Sequence, residues 1–182
     1  MEYIGTKKIE TKRLILRRFT LEDAPLMYER WASDPEVTKY LTWQAHDSPE
    51  TTRSYLTYLT ARDGSGDCFD WAVECKGVGV IGSIGVVAIC EQREEAEVGY
   101  CFAKDYWGKG IATEALKAVL NYLFDQAHFR RIVAKHDTRN PASGRVMAKA
   151  GMKYEGILPR GGTNNRGIVD VVSYVMRPED RE

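Results

Sequence analysis

Two glycines set one residue apart, Gly108 and Gly110, stand between a short run of strand-forming residues and a long stretch free of glycine and proline. Residues 97–102 (EVGYCF) read as strand, and the residues from Ile111 to well past Ala127 read as helix. The glycines therefore lie where a helix begins. A helix N-terminus leaves its first amide N–H groups without intrahelical partners and carries partial positive charge, so it attracts anions. Lacking Cβ atoms, Gly108 and Gly110 let such an anion approach the backbone. A pyrophosphate is the expected guest.

Two other glycine motifs fail here. A Walker A loop ending at Lys109 needs glycine at 103 and Ser or Thr at 110, where the chain has Ala103 and Gly110. The run 77–82 (GVGVIG) matches the dinucleotide pattern G-x-G-x-x-G, but β-branched residues follow it and helical periodicity does not. A hairpin is expected there.

The segment 106–115 (YWGKGIATEA) resembles the phosphate loop of the GNAT N-acetyltransferases, usually written Q/R-x-x-G-x-G/A. Trp107 replaces the usual Gln or Arg, a form similar to the RimJ and RimL branch that modifies ribosomal-protein N-termini. Asn140, Ser143, Lys149 and Gly151 resemble the family's second cofactor segment, N-x-x-S-x-x-x-x-x-K-x-G. The resemblance implies an α/β fold of the GNAT type, a mixed, mostly antiparallel sheet of about seven strands with about four helices. It also implies a central parallel pair, 97–102 and 131–136, that splays to admit the cofactor's pantetheine arm.

Acetyl-CoA is the implied cosubstrate, and transfer to a primary amine is direct, within a ternary complex. Amides near Phe102 and Ala103 are assigned to the arm and its acyl carbonyl, and those of Gly108, Lys109, Gly110, Ile111, Ala112 and Thr113 to the pyrophosphate. Glu97 matches a position where family members place a carboxylate that accepts the amine proton; its alternative is an acidic strand end after a charged turn. Asn140 is assigned to the arm and Ser143 to protonating the departing thiolate, against helix capping and an incidental first-turn serine. Lys109 and Lys149 either neutralise cofactor charge or are solvated. The expected acceptor is a protein N-terminus of the ribosomal type. A polyamine or aminoglycoside is the alternative, and a non-catalytic acyl-CoA sensor is a third reading.

At 182 residues the chain suits one domain, 1–182, with its cofactor core at about 97–156. Twenty-six basic residues balance twenty-six acidic ones, which removes the general attraction a nucleic-acid binder relies on. No apolar run reaches the ~18 residues that cross a bilayer, and the polar start MEYIGTKKIETKR is unlike a signal peptide. No membrane partner, a cytoplasmic location and a monomer or homodimer are expected. Cys68, Cys75, Cys90 and Cys101 form no C-x-x-C pair, and His46, His128 and His136 are scattered, so neither disulfide nor metal is expected. Cys101 lies in the site strand but has no histidine placed to activate it, and packing is its expected role.

Positioning these groups requires strands at 13–19, 68–74, 79–89, 97–102, 131–136, 152–157 and 168–176. Helices are expected over 21–31 with an end near Asp34-Pro35, from Ser48-Pro49 to a stop at 63–67, from Ile111 to Ala127, and from Asn140-Pro141 to Gly151. Residues 37–43 are expected as a connection, 91–95 (EQREE) as a solvated turn, and 159–166 as a polar loop. Tyr40, Trp43, Tyr55 and Tyr58 are either ordinary packing or a wall of the acceptor site.

Overall fold

The computed structural model describes residues 1–62 and 64–181. Its centre is one sheet in the order β1-β2-β3-β4-β5-β6-β8-β7. The strands are β1 (Ile9–Glu10), β2 (Leu14–Arg17), β3 (Asp70–Cys75), β4 (Gly79–Cys90), β5 (Glu95–Phe102), β6 (Arg131–Asp137), β7 (Lys153–Asn164) and β8 (Gly167–Met176). All neighbours are antiparallel except β5 and β6. A helix joins that pair, as a parallel crossover requires. The expected fold class holds, with β1 as one strand more than the sequence suggested.

Alternation divides β5 between two cores. Ala96, Val98 and Phe102 point into the first, beneath α4 (Ile111–Asp125) and α5 (Pro141–Lys149), with Ile132 and Ala134 of β6. The buried stripe of α4, which includes Ile111, Ala115, Val119 and Leu123, follows the helical period, so the helix is held by its apolar face. Truncating the fully buried Leu123 to alanine would cost about 2–5 kcal/mol. Cys101 and Ala103 face the second core, built on Phe19, Trp31, Leu56, Ala72 and Val80 beneath the helical segments of residues 21–61.

The N-terminal helical segment departs from a plain helix. Residues 21–32 run through a 3₁₀ turn (Leu21–Asp23), a single α turn, α1 (Ala24–Met27), and a π turn (Tyr28–Ala32). The π turn carries Trp31 and Ala32 fully into the core. Next comes α2 (Pro35–Thr38), where a connection was expected. Asp34 caps it by accepting the Glu36 amide at 2.8 Å. Asp34-Pro35 is thus a helix start, the same cap-and-proline signal as Ser48-Pro49 before α3 (Pro49–Ala61). The expected stop of α3 at 63–67 falls partly outside the described residues, since it includes Asp63.

Two further expectations change. Glu95 is not part of a solvated turn: it is the first residue of β5, buried, and ion-paired with Arg131 of β6. Residues 159–164 continue β7 past an irregularity between Leu158 and Gly162, instead of forming a loop. There Arg160 has φ +53° and donates its amide to Asp170 at 2.7 Å. A Cβ on Gly162 would lie 2.7 Å from Val171, so these glycines serve close packing rather than a turn.

Candidate active site

β5 and β6 pair at only three positions, Glu95 with Arg131, Ala96 with Ile132 and Glu97 with Val133. Both strands continue, to Phe102 and Asp137. Beyond Glu97 the pair splays, leaving the facing backbone edges without a strand partner. The β4–β5 ladder sorts the amides near that gap. Ala103 donates to the Ile81 carbonyl at 2.8 Å, so its amide is not available to the arm as expected. Phe102 and Gly82 then form a non-hydrogen-bonded pair, and alternation turns the Phe102 and Tyr100 amides away from β4, toward the gap.

The loop after β5 is held by side chains. The Trp107 indole donates to the Phe102 carbonyl at 2.8 Å, tying the loop back to its own strand. Gly108 and Gly110 have φ of +72° and +73°, and a Cβ on Gly108 would meet no protein atom within 4 Å. Gly110 caps α4 with no side-chain bond to its first amides, so these donors remain for an anion. Arg13 was not assigned to this site by sequence. Its guanidinium bonds the Lys109 carbonyl at 2.9 Å and Glu114 at 2.7 Å, placing a fixed cation beside the loop. The signal was a base at a strand start, which spacing could not connect to a loop nearly a hundred residues away. The Lys109 ammonium lies 5.8 Å from the Tyr106 ring centroid.

At α5 the Asn140 side chain makes no cap, and its amide group has no hydrogen-bond partner among the described residues. Ser143 Oγ lies 3.0 Å from the hydroxyl of Tyr100, which also donates to the Ser143 carbonyl at 3.1 Å. Tyr100 was overlooked because a tyrosine in a strand is ordinary core. Burial pushes its phenol up to about 12, against a smaller opposite effect of the Ser143 bond, so it keeps its proton at neutral pH. Gly144 follows of necessity: a Cβ there would stand 2.5 Å from His136 Nε2.

Glu97 projects from the opposite face, toward α1–α3, and its carboxylate pairs with Lys135 at 2.6 Å. It is thus separated by the sheet from Ser143. Cys101 shares the Glu97 face, with its sulfur 3.2 Å from Ser83 Oγ. Burial pushes this thiol up to about 11, which leaves almost no thiolate at neutral pH and agrees with a packing role.

The aromatic group splits. Trp43 and Tyr55 flank His46, with centroid separations of 5.2 and 6.1 Å. Tyr40 and Tyr58 instead carry Lys39 and Arg62 over their rings. Asn165, between β7 and β8, donates its side-chain amide to Thr38 O at 2.8 Å and Trp43 O at 2.5 Å, and its backbone amide to Leu41 O at 3.0 Å. At the end of β6, Asp137 accepts bonds from the Arg139 amide and guanidinium and from Asn164. Arg139 foremost holds the Asp137 carboxyl down to about 2.

The sheet thus has one splayed parallel pair that opens beside a glycine-entered helix. Residues 13–153 match the family described as Acetyltransferase (GNAT) domain, and the chain belongs to that family, whose members use acetyl-CoA. It is 32% identical over 149 residues to the uncharacterized N-acetyltransferase p20 of Bacillus licheniformis, covering 81% of this chain and 83% of that protein. Ribosomal-protein-serine acetyltransferase of Escherichia coli is 32% identical over 95 residues, 52% of this chain and 53% of its own length. The crystal structure of a GNAT-family acetyltransferase from Bacillus anthracis superposes with a TM-score of 0.82 at 28% identity, covering 95% of this chain and 99% of that one. Among the described residues no helix is long and apolar enough to cross a membrane, and no group of three or more His, Cys, Asp or Glu side chains could hold a metal ion.

Proposed function

We propose that this chain transfers the acetyl group of acetyl-CoA to a primary amine by direct transfer in a ternary complex, with a protein N-terminus as the acceptor. The observation that carries the reading is the splay of β5 from β6 next to the uncapped start of α4. The residues fit the cosubstrate: Gly108 offers a space that a Cβ would narrow, and the first α4 amides lack capping side chains. When bound, acetyl-CoA supplies a thioester, an acyl group already activated toward amines.

The protein's tasks are then few. The amides of Gly108, Lys109, Gly110, Ile111, Ala112 and Thr113 hold the pyrophosphate, with Arg13 fixing the loop's shape. The Phe102 amide and the Asn140 side chain orient the arm along the gap. Ser143 Oγ passes its proton to the departing thiolate, the Tyr100 hydroxyl at 3.0 Å replaces it, and the phenolate takes a proton back from water as the products leave. On the other face Glu97 takes the proton released by the amine, directly or through water, while Lys135 keeps its carboxylate oriented. The likeness to a ribosomal-protein acetyltransferase over about half its length supports the choice of a protein N-terminus.

A thermal-shift titration with acetyl-CoA tests the first part. At about 100 times its Kd, a ligand adds about 2.7 kcal/mol, roughly 5–11 °C for a domain of this size. No rise with acetyl-CoA or CoA would sink the reading. Acceptor screening with peptides bearing free or blocked N-termini tests the second part, and acetylation of the blocked peptides alone would overturn the choice of acceptor.

A further inference from the structure

Between α2 and the β7–β8 turn lies a depression of ≈ 360 Å³, with Thr38, Lys39, Gln44, Asn165 and Arg166 among its lining residues. No carboxylate lines it. Lys39 and Arg166 form no ion pair with any described residue, although the chain as a whole is neutral. The nearby acids are committed elsewhere. Asp34 accepts the Glu36 amide, Glu36 pairs with Lys104, and Asp47 accepts the Thr51 hydroxyl. The Asn165 bonds to Thr38 and Trp43 make the floor, so the depression does not depend on mobile side chains alone.

Its place in the fold relates it to the gap. Asn164, the residue before the floor, donates to Asp137 at the open end of β6. Asp137 lies four residues beyond Val133, where pairing with β5 ends, or about 13 Å along the strand at ~3.3 Å per residue. An extended peptide covers that distance in about four residues. Resting on the reading of the acceptor as a peptide N-terminus, we propose that the depression is a specificity subsite for carboxylate side chains at about the third to fifth residue of the acceptor. Lys39 and Arg166 would receive the carboxylate through charge-assisted hydrogen bonds, with the amine in the gap.

The test uses three hexapeptides with free N-termini, identical except for Glu, Ala or Lys at residues three to five. Binding to the protein with CoA present is followed by fluorescence anisotropy, and acetylation is followed separately. The Glu peptide should bind about five- to tenfold more tightly than the Ala peptide, as expected for two exposed charge contacts. The advantage should shrink with added salt. A Lys39→Glu/Arg166→Glu double variant should reverse the order while keeping its thermal response to CoA. Equal binding of all three peptides, or an unchanged order in a variant that still responds to CoA, would overturn the subsite. Preferred binding of the Glu peptide without its acetylation would support the subsite and refute the N-terminal acetyltransferase reading instead.

Discussion

The α4–α5 side of the sheet and the α1–α3 side are built on different principles. On the first, the distinctive features are mostly main-chain: a gap between two strands, left-handed glycines, and uncapped helix amides. On the second they are side chains brought from distant parts of the sequence, such as Asn165 bridging to Thr38 and Trp43. A main-chain site needs only the right element ends and tolerates many side chains, so one cofactor can be kept while acceptors change. A side-chain site can be rewritten one residue at a time.

That contrast is broken most severely from the cofactor side. Gly110→Glu should abolish the acetyl-CoA thermal shift, because a φ of +73° strains any other residue and the new carboxylate repels phosphate. A retained shift in calorimetry or dye-based melting would mean that the loop is not the anion site. Next in size, Ser143→Ala should lower kcat by about 10²-fold with little change in acetyl-CoA affinity, and Tyr100→Phe should lower it less, within the range expected for general acid catalysis. Steady-state kinetics decide this; a fall in affinity alone would make both residues binding groups.

Asp137 offers a smaller test on the boundary between the two sides. Its carboxyl titrates ordinarily at 3.8 and is held down to about 2 in the fold, chiefly by Arg139. Its stabilisation is therefore complete above pH 3.8 and is lost as pH falls toward 2. With half-exposed Arg139 screened by solvent, the contribution is on the order of 1–2 kcal/mol. Asp137→Asn should lower stability by that amount at pH 7 and leave acid denaturation shallower; identical urea midpoints at pH 7 would contradict it. The smallest effect is expected from Asn165→Ala. It should leave CoA binding unchanged and raise KM for the acceptor severalfold, whereas a loss of CoA binding would show the two sides to be coupled.

The same division decides what was legible in the sequence. The Gly108–Gly110 loop, α4 with its buried stripe, and the alternation of β5 are local patterns, and local patterns survive in one dimension. Asp34-Pro35 was misread because a proline after a helical run looks like a stop, while the cap it belongs to looks forward. Residues 159–164 were misread because their glycines suggest a turn, although packing on Val171 is what requires them. Tyr100 and Arg13 were missed for another reason. Each acts through a partner far along the chain, Ser143 or the Lys109 carbonyl, and no spacing rule reaches that far. The assignment of Ala103 to the arm erred by one residue, which in a strand is enough to turn the amide from the gap to the neighbouring strand.

The bond from Asn165 to Thr38 joins residues separated by 127 positions. During synthesis at ~5–20 residues per second, the segment carrying Thr38 and Trp43 waits roughly 6–25 s for the residue that anchors it. The helical segments of residues 21–61 thus leave the ribosome early and gain this anchor late, after β5 and α4 have been made.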